Sequence, residues 1–113
     1  MNARAPRMGD LIALARACLA QPAHRRAWVA RRILAEAARA GTWRRATGRV
    51  HPLWGDGSVA AAALRRRCAA EPPLEDAEWR ACLTLGLDAF AGGVGQRDSR
   101  LYCRDTPPTG AFP

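Results

Sequence analysis

Alanine fills 25 of the 113 positions, while the chain holds only two Phe and one Tyr. Alanine is the strongest helix former and gives a β-strand little to pack with. A chain of this make-up is confined to helical folds. Its length allows one domain and one core, with roughly two-thirds of the unfolded surface available for burial, and it excludes a two-domain enzyme. The expectation is an all-α fold: a small bundle of about four helices over residues 1–93, then a flexible C-terminal tail over residues 94–113.

Leu11, Leu14, Ala15, Cys18 and Leu19 recur at the spacing of one apolar helix face, which predicts a first helix with Asp10 at its start and Gln21-Pro22 at its end. Pro22 can open a second helix reaching Ala40, with Gly41 as its C-cap. Thr42 to Thr47 is also helical in composition, so the helix can continue past Gly41 at a cost of about 1 kcal/mol. Ala27, Val29, Ala30, Ile33, Leu34, Ala37 and Ala38 form the expected core face of this helix. Gly48 to Gly57 reads as a connection, and Gly55-Asp56-Gly57-Ser58 as a turn that caps a third helix, Val59 to Cys68. Glu71-Pro72-Pro73 is a spacer. A fourth helix starts at Glu75 or Asp76, buries Trp79, Cys82, Leu83, Leu87 and Phe90, and stops at Gly92-Gly93.

The basic residues are all Arg, 18 of them, with no Lys. That pattern is partly a coding bias toward GC-rich codons, so the distribution of charge is more informative than its total. Residues 1–68 hold 14 Arg against Asp10, Glu36 and Asp56, a net of +11, whereas residues 69–113 hold four Arg against seven acids, a net of −3. The asymmetry points to a front part that meets a polyanion, with nucleic acid foremost, and a rear part that does not. No apolar run approaches the roughly 18 residues of a membrane span, and Arg4, Arg7, Asp10 and Arg16 interrupt the start, so neither a signal peptide nor an anchor is read. A cytoplasmic location is expected, with reduced thiols and with Cys18 and Cys82 as small core residues.

Cys18, Cys68, Cys82 and Cys103, with His24 and His51, are too scattered for a zinc motif. No metal or other cofactor is expected. Catalysis has no persuasive carrier either. Glu71, Glu75, Asp76 and Glu78 suit a helix N-terminus, and His51, beside Pro52, can orient a loop or touch a partner as easily as act as a base. The Gly55–Ser58 turn lacks the lysine and spacing of a P-loop, and Asp56 would repel a phosphate, so a capping turn is preferred to a phosphate contact.

The sharper constellation is on the polar face of the second helix. There Trp28 lies one turn from Arg25, Arg31 and Arg32, with Arg39 further on. Arg neutralises phosphates, and an indole stacks on a base, a sugar or a guanidinium. The competing reading, preferred because four Trp beside two Phe must supply much of the core's bulk, packs Trp28 under another helix or subunit with Arg stems covering it. Arg44, Arg45 and Arg49, with Arg65-Arg66-Arg67, extend the basic surface around the following loop, a pattern suited to phosphate contact without sequence reading. A helix-turn-helix needs a three- or four-residue turn. Ten or so residues separate the second and third helices, leaving only the pair joined at Gln21-Pro22.

The run Ala46-Thr47-Gly48-Arg49-Val50-His51-Pro52-Leu53-Trp54-Gly55-Asp56-Gly57-Ser58-Val59, continued by Glu71-Pro72-Pro73-Leu74 to Cys82-Leu83, resembles a family of small helical proteins of alphaproteobacteria. These are encoded with the DNA-packaging genes of gene transfer agents, phage-like particles that carry host DNA. The likeness covers about residues 10–90. It implies a role like that of a phage small terminase subunit: a non-catalytic protein, often a ring, that binds double-stranded DNA near its N-terminus and meets the large terminase subunit through its C-terminal part. The chain departs from that pattern in being short and lacking a long central coiled hairpin. On this reading Arg25, Trp28, Arg31, Arg32, Arg39, Arg44, Arg45 and Arg49 are the DNA-binding candidates. Glu75, Glu78, Leu101 and Tyr102 are the partner-binding candidates, and a homo-oligomer is expected. A small transcriptional regulator whose second helix enters a major groove, and an interaction module with no nucleic-acid role, are the alternatives.

Overall fold

In a computed structural model the chain is described over residues 5–95, and Leu101, Tyr102 and most of the expected tail lie outside them. The elements in order are α1 (Met8–Leu19), a single 3₁₀ turn (Ala23–Arg25), α2 (Arg26–Thr47), α3 (Val59–Leu64) and α4 (Ala77–Gly95). The described residues form no strand, and an isolated antiparallel bridge joins His51 to Gly55.

α1 is the hub and packs against the other three helices. Its Leu11, Leu14, Ala15 and Cys18 are buried, as the periodicity predicts, against Val29, Ile33, Ala37, Ala62, Trp79 and Cys82. Small side chains dominate this core, and one indole, Trp79, is the largest of its fully buried side chains, ahead of Leu14, Ile33 and Val29. Its Nε1 hydrogen finds no acceptor among the described residues.

Several boundaries shift, each for a local reason. α1 begins at Met8 rather than Asp10, which places Asp10 inside the first turn with Oδ2 accepting the Arg7 amide at 2.8 Å. Pro22 precedes the 3₁₀ turn instead of opening α2. α2 runs through Gly41 to Thr47 and ends on Gly48, left-handed at φ 73°, whose amide donates to the Arg44 carbonyl. α3 stops at Leu64, four residues short of Cys68, because the chain there turns back onto α1. The Ala69 amide donates to the Arg16 carbonyl at 3.0 Å and Arg16 Nε donates to the Ala69 carbonyl at 2.8 Å. α4 continues to Gly95, past the glycine pair expected to stop it. Leu87, assigned to the core by periodicity, is exposed, as are Ala27 and Ala38 on α2.

The turn before α3 is built by contacts that only glycine permits. Gly57, at φ 100°, lies so close to α2 that a Cβ would sit 2.9 Å from Gly41 Cα, and a Cβ on Gly55, at φ 86°, would sit 2.6 Å from Ala61 Cβ. Gly41 is therefore a crossing point rather than a cap.

Candidate nucleic-acid interface

The fold first decides which arginines are already engaged. The last carbonyls of a helix have no partner within it, and a cation there also favours the helix dipole. Arg26 fills that role for α1: Nε donates to the carbonyls of Cys18 at 3.1 Å and Gln21 at 2.9 Å, while Nη2 reaches the Leu19 carbonyl at 3.5 Å and Glu78 Oε1 at 3.2 Å. Arg16 is held by Ala69, and Arg80 donates to the carbonyls of Leu74 and Glu75. Both acidic partner candidates are exposed; Glu78 is in addition paired with Arg26 of its own chain.

The outer face of α2 is different. Trp28 is 45% exposed, against the preferred reading of it as core, and the guanidinium carbons of Arg25 and Arg32 lie 5.2 and 5.8 Å from its ring centre. Both distances are within cation–π range. The ladder continues through Glu36, whose Oε2 accepts from Arg66 at 2.8 Å and pairs with Arg32 at 3.4 Å. Glu36 is not among the residues expected at this face, and Arg66, expected on the basic surface around the following loop, is instead paired with it. The i,i+4 spacing to Arg32 hints at Glu36, but the partner from beyond α3 has no local signal. Arg31 and Arg39 share this side of the helix, stand in solvent, and hold no side-chain bond among the described residues.

The remaining candidates separate from this face. At about 100° per residue, Arg44 lies roughly opposite Trp28. With Arg45 it lines a groove of about 800 Å³ between α2 and α4, together with Leu34, Ala38, Gly57 and Phe90. Arg45 also donates to Thr42 Oγ1 at 3.4 Å. Arg49 is exposed just past the end of α2.

The Gly55–Ser58 turn is a capping device. Asp56 Oδ1 accepts the Ser58 amide, Ser58 Oγ accepts the Ala61 amide, and Asp10 Oδ1 accepts the Ala60 amide at 2.8 Å. Three of the amides a phosphate would need, those of Ser58, Ala60 and Ala61, are therefore occupied, and one carboxylate, Asp10, serves the first turns of both α1 and α3. His51 orients its loop: Nδ1 accepts the amides of Leu53 and Trp54 at 3.0 and 3.1 Å, and the ring stacks on Trp54, with centres 4.7 Å apart and planes 6° from parallel.

Burial pushes the Cys18 thiol from its ordinary 9.0 up to about 11, with Cys82 nearby adding to the effect, and it raises Cys68 and Cys82 as well. Such thiols stay protonated and unreactive. No group of three or more His, Cys, Asp or Glu among the described residues is placed to hold a metal ion, and no described helix is long and apolar enough to cross a membrane.

Fold and surface together define a small all-α domain with an arginine–tryptophan face on its longest helix. The chain belongs to the family described as a domain of unknown function, DUF7742, whose profile matches residues 4–90. No curated protein and no solved structure matches it.

Proposed function

We propose that the chain is a DNA-packaging adaptor of the small-terminase kind, acting in the cytoplasm without a cofactor. It binds double-stranded DNA weakly and with little sequence preference, and it engages a large terminase subunit. The observation that carries this reading is the outer face of α2, where Arg39, and Arg31 at the edge of the groove that Asp88 of α4 also lines, are exposed beside the Arg25–Trp28–Arg32 cluster and hold no side-chain bond among the described residues. Exposed guanidiniums without acceptors exchange small counterions for phosphates and position a protein on a duplex without reading it. Weak, sequence-tolerant binding is what a particle that packages host DNA requires, in keeping with the resemblance carried by Ala46–Val59. The acidic stretch with exposed Glu71 and Glu75, and Leu101 and Tyr102 beyond it, supplies the side facing the protein partner, and the subunit works as a homo-oligomer.

The test is a titration of unrelated duplexes at about 50 and about 200 mM salt, where phosphate-dominated binding loses orders of magnitude. The same steep loss is expected for every sequence, and Arg31→Glu with Arg39→Glu is expected to weaken binding about tenfold further. A tight complex with one short sequence that survives raised salt would favour the regulator. Absence of any binding would favour the interaction module.

A further inference from the structure

Past Ala40 no residue of α2 is buried, and every residue from 42 to 50 is exposed, so the last turns of the helix overhang the bundle. Three aromatic rings gather there. Trp43 is 42% exposed and meets His51 edge to face at 5.2 Å, and His51 in turn stacks on Trp54. The loop that carries the two rings is held stiff by its own backbone: His51 and Gly55 exchange both amide-to-carbonyl bonds, at 3.0 and 3.1 Å, and His51 Nδ1 takes two further amides. Val50 and Leu53, each 54% exposed, flank the rings. Between Glu36 and Asp56 the chain contains no acid, but it contains Arg39, Arg44, Arg45 and Arg49. Arg39 lies one turn before Trp43 and therefore on the same side of the helix.

An exposed ring, Trp43, backed by the half-buried rings of His51 and Trp54 and carried on a stretch of chain with arginines and no acid, has the composition of single-strand binding sites, where bases stack on aromatic faces and arginines track the phosphates. A duplex keeps its bases stacked on one another and offers such rings little. We infer that the overhang of α2 with the His51–Gly55 loop is a stacking platform for unpaired bases, with Trp43 as its principal ring and Arg39 and Arg49 as its phosphate contacts. It adjoins the Arg31 and Trp28 surface proposed for duplex and shares Arg39 with it, and it rests on the same reading of the chain as a nucleic-acid binder. Trp28 is the poorer platform, because Arg25 and Arg32 already occupy its ring.

The experiment compares the full chain with Trp43→Ala and Trp43→Phe, by fluorescence anisotropy, on a labelled oligothymidylate of about 20 nucleotides and on a blunt duplex of equal length. Stacking of one base is worth roughly a fivefold to hundredfold change in affinity. W43A is therefore expected to lose about tenfold on the oligothymidylate and less than about twofold on the duplex, with W43F recovering most of the loss. The salt slope should stay unchanged, because the phosphate contacts remain. Equal losses on both probes, or no loss on the oligothymidylate, would overturn the platform without rejecting the duplex reading. Oligothymidylate binding that depends on Trp43, without any duplex binding, would support the platform and reject the duplex reading instead. If W43A leaves both probes bound as before but abolishes self-association in sedimentation velocity, the rings form a contact between copies and the inference fails.

Discussion

The start of α2 and its outer face use one residue type in opposite ways. Arg26 is turned into the junction of α1 and α4, its side chain only 15% exposed and its guanidinium spent on three carbonyls and Glu78. Arg31 and Arg39, further along the same helix, stand in solvent with no acceptor among the described residues. The tryptophans repeat the contrast, with Trp79 0% exposed in the core and Trp28 lying outside between two guanidiniums. A net charge of +8 therefore overstates what a polyanion can meet. An arginine already supplying hydrogen bonds to a helix end has fewer to give a phosphate, and withdrawing it would remove the side-chain donor from the part-buried carbonyls of Leu19 and Gln21.

The largest effect expected from this contrast separates the two indoles. Trp79→Ala should cost about 3–5 kcal/mol, the range for deleting a buried aromatic, whereas Trp28→Ala should cost less than about 1 kcal/mol. Denaturant unfolding of both variants measures the difference. A cost at Trp28 equal to that at Trp79 would return it to the core and erase the comparison.

Next come the arginines. Arg26→Ala removes charge-assisted bonds to the end of α1 and should cost about 2–3 kcal/mol, lowering the thermal midpoint by about 10 °C or more. The DNA affinity of the folded protein should be unchanged. Arg31→Ala and Arg39→Ala should do the reverse, changing stability by less than about 0.5 kcal/mol while weakening binding. Calorimetry beside an anisotropy titration reads both quantities, and a variant that moved both together would show that the two classes of arginine are not separate.

The smallest effect sharpens the comparison from the core side. Cys18 has its thiol pushed up to about 11 by burial, so folding favours the protonated form. The stability this contributes is complete below the ordinary thiol range and is lost as the pH rises toward 11. On the order of 2 kcal/mol should disappear across that window, and Cys18→Ala should flatten this alkaline limb. Denaturant midpoints between about pH 8 and about pH 10.5 test it, and an unchanged limb in the variant would show that Cys18 is not the group responsible.

Much of the helical layout was legible residue by residue. The spacing of Leu11, Leu14, Ala15 and Cys18 marked the buried face of α1, and Ser58 marked the start of α3. The same periodicity erred at Leu87 and Ala38, because a helix pattern indicates an apolar stripe but not whether another element is long enough to cover it. Trp28 was harder still. A core of ordinary residues would need its bulk, but this core is built mostly of alanine. Alanine and the Gly41–Gly57 approach draw the backbones together, and a single indole, Trp79, is buried beside Leu14, Ile33 and Val29. His51 was readable as a loop organiser, but the assembly of Trp43, His51 and Trp54 was not, since it depends on the loop folding back onto the end of α2.

Helical class, the order of the helices and the basic front half follow from properties that a residue carries with it or shares with neighbours three or four positions away. Alanine's low entropy cost, the 3.6-residue period and the placing of charge act before any tertiary contact forms. Which arginine is structural and which is free is settled at longer range. Arg26 meets Glu78 across 52 positions, Arg16 meets Ala69 across 53, and Asp10 meets Ala60 across 50. A hydrogen bond needs its acceptor within about 3 Å, and only the packing of α3 and α4 against α1 brings those acceptors within reach.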